Sequence, residues 1–194
     1  MSRTASVSRR TRETNITVAL RLDGEGRASV STGIGFLDHL LSALACHARI
    51  DLELSCEGDL HVDDHHTAED CAIAIGTAID QALGGRAGIA RFGSAYAPLD
   101  EALARAVVDL SGRPFARVRL GLRRERIGAL AAENVAHVLS SIAANARMTL
   151  HVDVPEGEND HHRAEAAFKA LALALRQAVA VDGAAGVPST KGSL

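Results

Sequence analysis

The chain has 194 residues, a formal net charge of -3 at pH 7 and nine histidines, and at this length it buries roughly 70% of its unfolded surface without needing a disulfide or a structural metal. Its Lys and Arg residues are scattered rather than gathered into a basic stripe, and one Tyr, four Phe and no Trp leave no stacking platforms for bases; both features argue against nucleic acid. No apolar run approaches the roughly 20 residues of a membrane span, and residues 1–10, basic and Ser-rich, lack the apolar stretch of a signal peptide. Cys46, Cys56 and Cys71 form no C-x-x-C pair and read as buried, reduced thiols of a cytoplasmic protein.

In chain order, residues 1–10 read as a mobile arm. Ile16, Val18, Leu20 and Leu22 alternate with polar residues, the period-2 mark of a half-buried strand, and Asp23-Gly24-Glu25-Gly26 supplies a turn into a returning strand at 28–31. Phe36, Leu37, Leu40, Leu41, Leu44 and Ala48 recur at helical spacing, and Ile50, Leu52 and Leu54 restore the alternation of a strand. A second helix over 67–83 is closed by Gly84-Gly85. Residues 86–100 join this half to the next. There, strands at 101–110 and 115–122 flank the turn Ser111-Gly112-Arg113-Pro114, and a helix over 131–146, a strand over 147–154 and a helix over 160–181 follow. Each half, 11–85 and 86–182, reads ββαβα, and laying two helices on each sheet gives an α+β domain of two fused, pseudo-symmetric halves. Residues 183–194 read as a coil tail.

The symmetry is carried by a repeat. His65-His66-x-x-Glu69 returns as His161-His162-x-x-Glu165, and each tetrad follows a lone histidine, His39 or His137, by about two dozen positions. With His39 set on His137, Leu41, Ser42, Ala45, Ala48, Arg49 and Leu52 match Leu139, Ser140, Ala143, Ala146, Arg147 and Leu150.

On a helix, residues four apart share a face whereas adjacent residues diverge by roughly 100°. His65 therefore joins Glu69 on one ion and His161 joins Glu165 on another, each site completed by a lone histidine and the other tetrad's second histidine. Imidazole with carboxylate and no thiolate points to Mn, Fe, Zn, Co or Ni rather than Ca or Mg. Four protein ligands leave two positions open on an octahedral ion, which favours catalysis and Mn. Asp63 and Asp64 either orient ligating rings or, in the case of Asp64, cap the helix that follows. Two divalent ions with two ligating carboxylates leave a local charge of about +2, attractive to an anion. Arg91, Arg113 and Lys191, in loop-like settings, are cations able to hold a phosphate.

The motifs Arg12-Glu13-Thr14, Gly35-Phe36-Leu37-Asp38-His39, Asp63-Asp64-His65-His66-Thr67-Ala68-Glu69-Asp70, Asp109-Leu110-Ser111-Gly112-Arg113-Pro114, Asn159-Asp160-His161-His162-Arg163-Ala164-Glu165, Phe168-Lys169-Ala170 and Pro188-Ser189-Thr190-Lys191-Gly192 resemble those of the imidazoleglycerol-phosphate dehydratases. Leu40 and Leu99 stand where that family often has Met. The resemblance implies halves with the fold of the second domain of ribosomal protein S5. It implies two Mn2+ ions per active site on His39, His65, His66, Glu69, His137, His161, His162 and Glu165. It also implies Glu13 at the substrate, a phosphate site on Arg91, Arg113, Lys169, Ser189, Thr190 and Lys191, and 24-subunit shells with active sites between subunits. The reaction would be loss of water from imidazole glycerol phosphate to give imidazole acetol phosphate. Binding of both ring nitrogens to the ions would favour imidazolate, which expels the adjacent hydroxyl, and a carboxylate then removes the neighbouring proton. Glu13 is the expected base, since Glu69 and Glu165 contribute to catalysis as ligands. Two rival readings use the same ions: a dinuclear hydrolase of phosphate esters, which would release inorganic phosphate, and a non-catalytic metal-binding shell.

Overall fold

The alternating run at Ile16, Val18 and Leu20 forms strand β2 (Thr14–Arg21), its apolar side chains buried on one face and Asn15, Thr17 and Ala19 exposed on the other. The structure is a computed structural model describing residues 3–183, 186–192 and 194. β2 lies between β1 (Thr4–Arg10) and β4 (Asp51–Gly58), antiparallel to both, and β3 (Ala28–Ser31) closes the sheet parallel to β4. The second sheet repeats the order: β5 (Phe92–Leu99), β6 (Ala102–Asp109), β10 (Thr149–Glu156), then β7 (Phe115–Arg119) parallel to β10. A short hairpin, β8 (Arg126–Ile127) with β9 (Leu130–Ala131), belongs to the second half alone.

Helices α1 (Gly35–Ala48) and α2 (His65–Leu83) cover the first sheet, and α3 (Ala132–Asn145) and α4 (Asp160–Ala178) cover the second. The helices then pack across the halves, α1 on α4 and α2 on α3, giving four layers in the order sheet, helices, helices, sheet. α4 is sandwiched on two sides, which is why its middle is buried nearly all round, with Ala166, Ala167, Phe168, Ala170, Leu171 and Ala174 fully buried. Leu37, Leu40 and Leu41 on α1 are also fully buried, each contributing roughly 1.5–3 kcal/mol. The α2–α3 approach depends on Gly76, where a Cβ would lie 2.7 Å from Ile142 O.

Three expectations need correction. Residues 4–10 are not a mobile arm but β1: Ala5, Val7 and Arg9 turn inward, and Arg9 bonds Asp70 of α2 at 2.7 Å. A period-2 run of small residues hides this strand because its inward positions are only half-buried. The segment 28–31 does not return along β2; it pairs parallel with β4, because α1 lies between β3 and β4 as a crossover. The joining segment 86–100 contains β5, so, with β1 in the first half, each four-stranded sheet has one more strand than the ββαβα reading, although the plan of two pseudo-symmetric halves with two helices on each sheet holds. The β2–β3 loop is ordered by Asp51, whose Oδ1 accepts from the Glu25 and Arg27 amides at 2.8 and 3.0 Å.

Candidate metal centres and phosphate-binding groups

His65 and Glu69 lie one turn apart at the start of α2, and α3 brings His137 from the other half onto the same spot. His137 Nε2 is 2.9 Å from Glu69 Oε1, His65 Nε2 is 3.9 Å from Glu69 Oε2, and the two rings stack with centroids 5.1 Å apart. At the start of α4, His161 and Glu165 receive His39 from α1: Glu165 Oε2 lies 2.9 Å from His39 Nε2 and 3.2 Å from His161 Nε2. In each triad the ligand atoms all fall within 4.8 Å of one another. The pairing of each tetrad's first histidine with its own glutamate matches the helix-geometry expectation. Each lone histidine crosses to the opposite half, as the α1–α4 and α2–α3 packing requires.

Hydrogen bonds determine which nitrogen each ring offers. Asn134 Nδ2 donates to Asp64 Oδ2 at 2.9 Å, so its Oδ1 is the atom that accepts from His65 Nδ1–H at 3.0 Å, leaving the His65 Nε2 lone pair for a ligand. Asp64 also accepts from Ala131 N at 2.6 Å and from Arg126 at 2.8 Å. Burial works against its charge, but these donors hold its carboxyl below the usual range. It therefore ties α2 to α3: Asp64 holds the N-cap position of α2 without a side-chain capping bond, and Asp63 accepts from the first helical amide, His65 N, at 2.8 Å. Asn134 stands three residues before His137, where Phe36 stands before His39. Phe36 offers no hydrogen bond and packs on the His161 ring at 4.9 Å. Burial also opposes the charge on Glu165, but bonds from His39 and from Lys169 Nζ, at 2.7 Å, bring its carboxyl down to about 2.

The second histidines join neither triad, so the expectation that each completes the other tetrad's site is not met within one chain; adjacent helical residues diverge too far. His66 Nδ1 bonds Asp59 at 3.0 Å and His162 Nδ1 bonds Glu101 at 2.7 Å; both bonds raise the imidazole pKa and turn Nε2 outward. Glu101 also accepts from the Asn159 and Glu158 amides, and these bonds together hold it at about 2. Glu13 projects from the β1–β2 turn, shaped by Thr11 Oγ1 accepting from the Glu13 and Thr14 amides, and its Oε1 is 3.7 Å from His66 Nε2. Asp59, Glu101 and Asn134 escape sequence reasoning because only the fold brings them against the rings; the one available hint was the three-residue offset of Asn134 from His137.

The cations divide between two places. Lys169 pairs with Glu165, within the second triad. Arg91 lies at the other end of α4, where its backbone N donates to Ala178 O at 2.9 Å. Its side chain donates to Pro188 O at 2.7 Å, next to Ser189, Thr190 and Lys191 of the tail. Arg113 is exposed at the turn that also meets Leu194. A groove of about 680 Å3 runs over the outer face of the first sheet between Thr4, Ala19, Ser29 and Glu53 and includes none of these groups. The convergence of ligand atoms, not the size of the cavity, marks the site.

Residues 32–175 match the family model described as imidazoleglycerol-phosphate dehydratase. An imidazoleglycerol-phosphate dehydratase of Phytophthora nicotianae is 62% identical over 192 residues, covering 99% of this chain and 42% of that longer protein. One of Pyricularia oryzae is 56% identical over 219 residues and covers 99% of this chain and 97% of its own length. Among solved structures, the dehydratase of Staphylococcus aureus superposes with a TM-score of 0.83 at 34% identity, covering 92% of this chain and 99% of that one. That of Pyrococcus furiosus, crystallised with a ligand, gives 0.82 at 35% identity and covers 97% and 100%. Taken with the duplicated histidine–glutamate triads, these matches establish that the chain belongs to the imidazoleglycerol-phosphate dehydratase family, the hydro-lyases of histidine biosynthesis.

Proposed function

We propose that the chain converts imidazole glycerol phosphate to imidazole acetol phosphate and water at sites that hold two Mn2+ ions and are assembled between copies of the chain. The observation that carries this reading is the pair of triads, His65/Glu69/His137 and His39/His161/Glu165, each with its ligand atoms within 4.8 Å. A half-buried set of two imidazoles and one carboxylate, with Nδ1 of His65 already engaged, fits a first-row divalent cation. When bound, such ions supply positive charge at the substrate's ring nitrogens and ease loss of the ring proton, as a metal does for bound water.

The assembly part of the reading rests on distance. The second triad sits at Glu165 and the Arg91–tail region at Ala178, thirteen helical residues apart in α4, or roughly 20 Å at the helical rise. A three-carbon chain between an imidazole and a phosphate cannot reach that far, so an ion at the second triad and the Arg91–tail cations of the same copy do not serve one substrate molecule. His66 and His162, whose Nε2 atoms face only the Glu13 and Asp100 carboxylates at 3.7 and 3.9 Å, would complete the ligand set of a neighbour. A shell of 24 copies would satisfy both requirements.

The chain's own residues then have distinct tasks. Arg91, Arg113, Lys169, Ser189, Thr190 and Lys191 hold the phosphate. Glu69 and Glu165 stay ionised as ligands, and for Glu165 the bonds from His39 and Lys169 keep it so. Glu13, half-exposed beside His66, takes the proton from the carbon next to the one that loses its hydroxyl. A C–O and a C–H bond break, a C=C bond forms, water leaves, and the enol rearranges to the ketone. The test is Glu13→Gln: turnover should fall by at least about a hundredfold with Mn content unchanged. Near-normal turnover would remove Glu13 from this role. If the manganese-loaded protein released inorganic phosphate instead of a ketone, the reading would shift to the dinuclear hydrolase.

A further inference from the structure

We propose that Asp109 is a positioning residue of the phosphate grip, locking Arg91 and, through it, the C-terminal tail into one anion-holding unit; this rests on the reading of Arg91 and Lys191 as phosphate ligands. Asp109 ends β6 opposite Phe92. Its two oxygens take Arg91 Nε at 2.7 Å and one terminal nitrogen at 3.1 Å, the fork-to-fork pairing that fixes the plane of a guanidinium. The other terminal nitrogen donates to Pro188 O at 2.7 Å, and the guanidinium lies over the Phe92 ring at 4.6 Å. Arg91 is only 13% exposed in its side chain. Of its five N–H groups, three are spent, leaving one on each terminal nitrogen for an anion. The backbone φ of 68° at Arg91 is held by its amide bond to Ala178 O and by Leu110 N donating to its carbonyl.

The same contacts organise the tail. Beyond Pro188 the chain folds tightly: Ser189 Oγ accepts from Lys191 N at 3.2 Å and Ser189 O from Gly192 N at 3.0 Å. Without Asp109, Arg91 would keep its charge but lose its fixed direction, and the tail, still held at Gly186 by Gly88 N at 2.8 Å, would lose the tether nearest Ser189 and Lys191. Asp109 touches no substrate in this arrangement; it acts through Arg91.

The experiment compares Asp109→Asn, Arg91→Ala and the double variant, each as the assembled, manganese-loaded protein, with inorganic phosphate as the competing anion. For Asp109→Asn we expect KM and the phosphate inhibition constant to rise together by about tenfold or more, with kcat and Mn content held within about twofold. The double variant should bind phosphate no more weakly than Arg91→Ala alone, since a residue acting through another adds nothing once that other is gone. Unchanged KM and inhibition constants in a folded Asp109→Asn protein, or losses that multiply in the double variant, would overturn the proposal. Should Asp109→Asn fail to assemble, trypsin cleavage after Lys191 serves instead: phosphate should slow it in the native protein and not in Arg91→Ala, and equal protection in both would overturn the proposal. A native protein that makes no ketone refutes the dehydratase reading. A native protein that turns over, with Asp109→Asn matching it, refutes only the role of Asp109.

Discussion

Asn134 is the point where the two triads differ most, and replacing it with Ala should separate them. Asn134 is 2% exposed and makes two bonds, from its amide nitrogen to Asp64 and from His65 to its amide oxygen. Losing the bond to an ionised, buried carboxylate costs about 1.5–3 kcal/mol, which for a chain of this size lowers the melting temperature by roughly 3–12 °C. The bond to His65 fixes the ring and its tautomer, and removing such a contact weakens metal affinity by about 10–100-fold. The His39/His161/Glu165 triad has Phe36 in the matching place and no such bond to lose. Titration of metal-free protein with Mn2+, followed by the electron-spin signal of the free ion, should change from its native form to two phases, one unchanged and one weakened. A single shift affecting both sites alike, or no shift in a variant of lowered melting temperature, would refute the assignment of the tautomer to Asn134.

Further outcomes follow from other buried or titrating groups. Arg163→Ala should cost at least about 3 kcal/mol by denaturant unfolding, because the Leu120, Gly157 and Val154 carbonyls that the guanidinium satisfies would lose their donor. Backbone amides, Arg27 first and then Glu25, together with the Arg21 and Arg27 side chains, hold the Asp51 carboxyl below its usual range against burial. A depressed carboxylate stabilises the fold above the unfolded pKa of about 4 and loses that contribution as pH falls through the folded value. Asp51→Asn should therefore be less stable than the native chain at pH 7 and converge on it in acid; a pH-independent difference would contradict this. Ligating histidines must be neutral, so Mn2+ affinity should fall as pH drops through about 6.5, and occupancy that stays flat down to about pH 5 would contradict it. In metal-free protein the sign is opposite at His66 and His162: their pKa values are raised by Asp59 and Glu101, so those pairs stabilise at low pH and cease to as pH rises through the raised values.

The helices were legible in the sequence because apolar residues at positions such as Phe36, Leu37, Leu40 and Leu44 face one core, and the repeat was legible because eight chemically unusual residues recur in the same order at nearly the same spacing. Strand pairing was less so. Nothing local in residues 28–31 distinguishes a hairpin partner of β2 from a parallel partner of β4, and only the crossover through α1 decides it. The site divides in the same way. His65 with Glu69 and His161 with Glu165 are helix neighbours that spacing alone can pair, whereas Asp59 and Glu101 reach their histidines from a strand end and a hairpin turn. Arg91 read as a loop cation and does lie just before β5, but it is half-buried and paired with Asp109, a partner invisible in the sequence because eighteen positions separate them.

The way the triads are built gives a physical reason for fusing the two halves. Each takes two candidate ligands from one tetrad and its third from the lone histidine of the other half, because α1 packs on α4 and α3 on α2, across the halves rather than within them. A single half would carry His65 and Glu69 without His137 and would leave α2's Gly76 face, shaped to the backbone of α3, without a partner. Two separate halves could meet in this way only by paying the entropy of association, and a covalent link of residues 86–91 removes most of that cost by raising the local concentration of one half around the other. Once fused, the two tetrads were free to diverge. Asn134 against Phe36, and Thr67 against Arg163 between the second histidine and the glutamate, are places where they have. The triads are thus equivalent in their candidate ligand atoms and unequal in what holds them.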